Sequence, residues 1–335
     1  AADLRESVDG GVAFDEYGRY YFAAEDRYLY AVDRNGTMVW RTDLGRKPGG
    51  GVVIGTDGTI HVTLENGELL ALNPDGRLIW RERISETRPL DPLVLSSGLV
   101  ITVRRPATVE ARTHVGRLVW SVGLDAPVSC APVLAIDGSI LLATAQGELV
   151  SLSVDGRKLR KRYVGEVASN LAAIPGGSLL GSTNGRLVAV DEELEPLWRA
   201  DFGSAIRELR VSATGDIYAT SDDGALGRVT PDGVVAWKVQ PGSAAMRSPA
   251  VAEDVLVTST DGVLTRIGRD GAARWQMRLL DRPTTMNLSP YGAAVITTES
   301  WVTYAYDTAF EPSGEWPQER GAFDRRGVTR SADTG

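Results

Sequence analysis

Two histidines, one cysteine and a supply of carboxylates are the residues of this 335-residue chain from which a reactive centre could be built. Neither His61 nor His114 has a second His, Cys or carboxylate at metal-ligand spacing, so the pattern offers no zinc site. Cys130 stands alone, which excludes an internal disulfide and any adjacent Cys pair. No Ser-His-Asp or Cys-His order can be argued, and Gly49-Gly50-Gly51 leads into a strand rather than a helix, so it is not a phosphate loop. Acidic side chains are plentiful, but nine of the 44 sit in Asp-Gly pairs, where their work is to shape a turn. The expectation is a chain with no catalytic residues, no metal and no cofactor.

The elements that would carry any site are set by a repeat. Trp40, Trp80 and Trp120, then Trp198, Trp237 and Trp275, return about every 40 residues, with Arg160 in the fourth place. Within the second unit, short apolar runs end at Val53-Ile54 and cover 60–64, 69–72 and 77–81, separated by Asp57-Gly58, Asn66-Gly67 and Asp75-Gly76. Those dipeptides accept the positive φ of a tight hairpin turn, so each unit is expected to be a four-stranded antiparallel sheet. Third strands can be counted at 28–32, 69–72, 109–112, 149–152, 187–190, 226–229, 264–267 and 301–306. The fold predicted is an all-β, eight-bladed β-propeller occupying residues 1–335 as one domain, with 308–335 as closing segment and tail. Blade eight would take its fourth strand from 308–317, with Trp316, or borrow residues 1–8. Such a frame carries many unrelated functions.

A small residue stands mid-way along the third strand (Ala31, Ala71, Ala111, Ser151, Ala189 and Ala305), leaving room for an indole that fills the wedge between twisted blades. The departures are Arg160 in the Trp position and Arg228 and Arg266 in the Ala position. Their guanidinium groups are expected to stack on aromatic neighbours. His61 falls where other units place Tyr21, Ile101 and Leu141, which makes it a packing residue, and His114 falls in the turn between third and fourth strands.

The repeat string Leu29-Tyr30-Ala31-Val32-Asp33-Arg34-Asn35-Gly36-Thr37-Met38-Val39-Trp40 resembles that of pyrroloquinoline-quinone-type propellers, matched closely in units one and two and more loosely in most others. The segment Trp316-Pro317 to Arg326-Gly327 is similar to one that often flanks such repeats, with Gln318-Glu319 replacing the usual aromatic. The resemblance implies the propeller fold over essentially the whole chain. It covers quinone-dependent alcohol dehydrogenases as well as non-catalytic members such as the propeller lipoprotein of the outer-membrane β-barrel assembly machinery. A quinone enzyme would need a calcium site, a base, cations for the cofactor's carboxylates and commonly a Cys pair. The absent Cys pair and the short chain favour the non-catalytic kind, and with it a periplasmic or otherwise exported location, although a cytoplasmic one stays open.

Composition narrows the partners. A net charge of −8 without a long basic run argues against nucleic acid. Apolar stretches are strand-length, so no transmembrane segment is expected. The start Ala1-Ala2-Asp3 shows no leader, which leaves a removed signal or lipid-bearing segment open. A monomer is expected.

Two sets of candidate site residues follow. Aligned on the repeat, the residues entering the innermost strands are Gly10, Gly50, Leu90, Cys130, Asn170, Glu208, Arg247 and Asn287, of which Asn170, Glu208, Arg247 and Asn287 form a polar channel mouth. Glu208 and Arg247 would be neighbours, as an ion pair or as part of a small-ligand site. The connections between blades are longer and more individual than the turns, and they carry Arg46, Lys47, Arg83, Arg88, Arg207, Arg247 and Arg282. Individual loops on a repeated frame are where function concentrates. The expectation is an interaction scaffold whose connection face docks an acidic or extended segment of a protein partner. A small-ligand or carbohydrate-sensing propeller is the alternative, and a quinone-dependent dehydrogenase ranks last.

Overall fold

The computed structural model describes residues 11–34, 36–241, 246–251, 254–279, 281–288, 293–298, 303–307 and 322–323. Eight four-stranded antiparallel sheets follow one another, each made of four strands consecutive in the chain. Blade two shows the pattern, with strands Pro48–Ile54, Ile60–Leu64, Glu68–Leu72 and Leu78–Arg83. In its last turn the Gly76 amide donates to the Asn73 carbonyl, while the Asn73 side chain accepts from the Arg77 amide at 2.8 Å. This is the local hydrogen bonding that makes Asn and Asp turn formers.

Register places one row of residues across each blade. Ala13 opposes Tyr21, Tyr21 opposes Ala31 and Ala31 opposes Trp40; in blade two the row is Val53, His61, Ala71 and Trp80. Paired residues project to the same side of a sheet, so each row is a surface offered to the next blade. The core accordingly lies between blades: Tyr21, Leu29 and Ala31 of blade one are packed in one cluster with Ile60, Val62 and Leu70 of blade two.

The tryptophans are clasps between blades. The indole N–H of Trp40 donates to the Pro74 carbonyl at 2.9 Å, Trp80 to His114 at 2.8 Å, Trp120 to Val154, Trp198 to Pro231 and Trp237 to Arg269, each in the third-to-fourth-strand turn of the following blade. The ring also lies over the glycine of that turn. Gly76 has φ +79°, and a Cβ there would come within 2.7 Å of the Trp40 ring, so turn geometry and indole packing both demand glycine.

Where the tryptophan is missing, its acceptor has changed too. Arg160 donates from Nε and Nη2 to the Glu193 carboxylate at 2.9 and 2.8 Å and lies 3.4 Å from Asp137. The turn it reaches has Leu194, at φ +64°, in place of the glycine. Without an indole above, a side chain fits there, and Leu194 is buried. The expected stacking of the three arginines is corrected by these contacts. Arg228 binds Asp216 at 2.8 Å and Arg266 binds Asp254 at 2.7 Å, because carboxylates of the neighbouring turns are within reach of all three guanidinium groups.

In seven of the sheets the fourth strand has five or six residues; in the last it is only Ala322–Phe323, paired with Tyr304 and Thr303. The segments expected to supply that strand, 308–317 and 1–8, lie outside the described residues, as does Trp316. Blades eight and one meet through the Asn287 amide, which donates to the Val12 carbonyl at 2.7 Å, and through a cluster of Val12, Tyr20, Val32 and Val295.

His61 is buried against Trp80, with ring centroids 6.0 Å apart. Burial pushes its imidazole down to about 4, and the Asp57 carboxylate opposes this only in part. A folded value below the unfolded one means that the unfolded chain takes up the proton first. Stability is therefore complete above the ordinary histidine value and falls as pH drops toward about 4, by about 3 kcal/mol. Denaturant titrations across this range should show that loss, and His61→Leu should flatten it.

Candidate docking face and axial channel

The connections between blades hydrogen-bond to the second-to-third-strand turns. Leu44 N donates to Arg27 O, Ile84 N to Gly67 O, Leu124 N to Ala107 O, Phe202 N to Gly185 O and Leu279 N to Gly262 O, all at 2.7 or 2.8 Å. These segments therefore share one face of the ring. The other two sets of turns share the opposite face, where Arg160 bridges Asp137 and Glu193.

The described basic residues of the connections lie on the first face, and three of the six are ion-paired within the chain. Lys47 is 3.5 Å from Glu25, Arg83 is 3.1 Å from Glu86, and Arg207 is 3.0 Å from Asp222. Arg88 donates its Nε to the Gly49 carbonyl. The Arg247 side chain lies outside the described residues. Arg46 and Arg282 are exposed, and their guanidinium groups form no ion pair among the described residues. The connection cations without an ion pair among the described residues thus include one on the connection from blade one to two and one on that from blade seven to eight.

The innermost strands line the axis. Asn170 donates to the Arg207 carbonyl at 2.7 Å, as Asn287 does to Val12, so both amides tie an inner strand to the next one round the ring. Glu208 lies 3.5 Å from Arg210. The proposed polar row is not in one register. Asn170 and Glu208 share a level, opposing Gly181 and Thr220, whereas Asn287 opposes Val295 two residues further along, level with Arg210. Bulges between Ala168 and Asn170, Ile206 and Glu208, and Pro283 and Thr285 fall at the same place in the three strands, so the counterpart of Asn170, Glu208 and Arg247 is Thr285, which a step of 40 residues from Arg247 overshoots by two.

Asp91 is an axial residue that sequence reasoning passed over. Its carboxylate accepts from the Gly51 amide at 3.1 Å and from the Thr63 hydroxyl at 3.4 Å, and a Cβ at Gly50 would collide with it. The run of three glycines is the signal that could have revealed it, since it marks a backbone that something approaches closely. Burial pushes the Asp91 carboxyl up, against the opposing hydrogen bonds from Gly51 and Thr63. Cys130 is buried and its thiol is pushed up to about 12 by that burial. Among the described residues no group of three or more His, Cys, Asp or Glu side chains is placed to hold a metal ion, and no helix is long and apolar enough to cross a membrane.

A sequence profile described as outer membrane protein assembly factor BamB matches residues 25–174 and 183–307. The chain belongs to this family. Its fold is shared with BamB from Moraxella catarrhalis, at 18% identity and a TM-score of 0.76 over 92% of this chain and 98% of that one. The computationally designed Ika8 protein matches at 13% identity and TM-score 0.77, over 90% and 96% of the two chains. Saccharomyces cerevisiae Sqt1 matches at 10% identity and TM-score 0.78, over 91% and 97%. No curated protein matches the sequence. Three proteins so different in sequence share this frame, and any role specific to this BamB-family chain has to reside in its own loops and axial residues.

Proposed function

We propose that this protein is a non-catalytic scaffold of the bacterial envelope that docks a protein partner on its connection face, as part of outer membrane protein assembly. The observation that carries the reading is the pair Arg46 and Arg282, whose guanidinium groups form no ion pair among the described residues, on a face where the other described connection cations are held by the chain itself. Membership of the assembly-factor family supports the envelope role. The partner segment that suits such a face is acidic or extended, with the exposed cations raising the association rate more than the final affinity. Eight blades closing as one ring and a monomeric state belong to the same proposal.

The test is capture of the native partner by Arg46→Glu/Arg282→Glu. Weakened capture, with slower association and an unchanged melting temperature, is the expected outcome. Arg88 is left intact because it holds Gly49. Undiminished capture, with loss on altering the Asp-Gly turns instead, would move the docking site to the opposite face.

A further inference from the structure

In the turn from third to fourth strand of blades one to seven, the first amide donates to the fifth carbonyl, so the fifth residues are structurally equivalent. That position holds arginine in three consecutive blades, Arg77, Arg117 and Arg157, and then Glu195, Val234 and Ala272 in the next three. All three arginines are exposed. Arg77 and Arg117 form no ion pair among the described residues, while Arg157 is 2.9 Å from Asp155 of its own turn. Each arginine is followed by exposed apolar side chains of the outermost strand: Leu78 and Ile79 in blade two, Leu118 and Val119 in blade three, and Leu159 in blade four. Blade three carries the pattern furthest. Its turn has Val115 where blade two has Asp75, and its outer strand Leu118–Gly123 contains no charged residue.

The tryptophan clasps hold these turns side by side, Trp80 reaching the His114 carbonyl of blade three and Trp120 the Val154 carbonyl of blade four. The result is a band on the outer rim, at the edge bordered by the Asp-Gly turns, in which cations alternate with apolar side chains over blades two to four. Beyond it apolar exposure continues, at Leu197 and Val234, but the flanking charges change sign to Glu193, Glu195 and Asp232. Apolar side chains set among cations fit a lipid surface: the hydrocarbon enters the boundary between headgroups and acyl chains, and the guanidinium groups stay with the phosphates. A protein partner would need a groove matched to a convex rim, whereas a fluid bilayer adapts to it. Charge complementarity selects an anionic bilayer and places the contact on blades two to four, because the acidic turns of blades five and six are repelled by the same surface.

We propose that this rim band rests on an anionic phospholipid bilayer, with Leu78, Ile79, Leu118 and Val119 in the interfacial layer and the three arginines among the headgroups. It lies on the opposite side of the ring from the connection face, which stays free for a protein partner, and either site can fail without the other.

The test is flotation of the full chain with vesicles of phosphatidylethanolamine containing about one third phosphatidylglycerol, beside vesicles of phosphatidylcholine alone. Binding to the anionic vesicles only is expected. It should weaken about thirtyfold in Arg77→Gln/Arg117→Gln at an unchanged melting temperature, since each cation near such a surface contributes about a factor of five. Val119→Cys carrying an environment-sensitive dye should report transfer to an apolar environment when anionic vesicles are added, while the same dye at Val234→Cys should not; Cys130 is buried and does not compete for the label. No binding to anionic vesicles at low salt overturns the proposal, as does binding that the double variant leaves unchanged or that both dyes report alike. Protection of the Leu118–Gly123 amides by a protein partner, with no binding to vesicles, would instead assign the free edge of that strand to strand addition.

Discussion

Trp80→Ala should lower the free energy of unfolding by about 3–5 kcal/mol. The indole packs with Leu69, Ile84 and Val100, lies beside His61, and donates to the His114 carbonyl of the next blade. The substitution empties the space above Gly116, where even a Cβ would come within 2.8 Å of the ring, and nothing in that tight turn can move in to fill it. Trp80→Phe separates the two contributions. It keeps most of the ring but loses the hydrogen bond, and about 1 kcal/mol should go. Arg160→Ala is the internal contrast. It removes an exposed bridge to Glu193 from a seam where Leu194 already fills the wedge, so its cost should stay below about 1 kcal/mol. Denaturant midpoints at constant m-value measure all three. A Trp80→Ala protein as stable as its parent would mean that the clasp is not what holds adjoining blades.

That contrast shows what a repeat exposes to a reader of sequence and what it hides. The frame was legible because Trp, Gly and the Asp or Asn of each turn are coupled by contact: the indole needs the bare backbone of the next turn, and the turn needs a residue tolerant of positive φ. Even the exception was half visible, since Arg160 marked a changed seam. Its partners were not, because Glu193 and Asp137 sit in turns that look like any others until blades four and five are placed side by side. The axial residues were read less well. The inner strands carry their bulges at the same place, but the unit that follows Arg247 is two residues shorter than the step of 40, so alignment on that step joined Asn170 and Glu208 to Asn287, which belongs beside Arg210. That the connections share one face was legible, since it follows from topology, but the pairing of their charges was not. Only side-chain geometry distinguishes Arg46 and Arg282 from Lys47, Arg83 and Arg207, which are held by nearby carboxylates.

Blade three contains a second feature with a large expected effect. Glu110 and Arg112 project from its third strand toward blade two, at positions held by Leu70 and Leu72 in blade two and by Val150 and Leu152 in blade four. Both are buried. Glu110 accepts from Arg104 Nε and from Arg112 Nη2, each at 2.8 Å, and Glu82 of blade two lies 3.6 Å from Arg112. Burial alone would push the Glu110 carboxyl up, but the bonds and charges of the two arginines outweigh it and hold the group below its usual range. Glu110→Gln removes the charge with little change of shape and leaves Arg112 buried without its closest counter-ion. The cost should be about 3–5 kcal/mol, because an uncompensated buried charge loses far more than the pair contributed. Replacing the pair by the residues that other blades use should reverse the result: Glu110→Leu/Arg112→Leu is expected to be neutral or more stable than the parent by about 1–4 kcal/mol. Chemical denaturation of the single and double variants decides between an electrostatic and a packing account of this interface. If the double variant is as damaged as Glu110→Gln, the seam depends on the ion network itself, and its apolar counterparts in the other blades are no guide to what blade three requires.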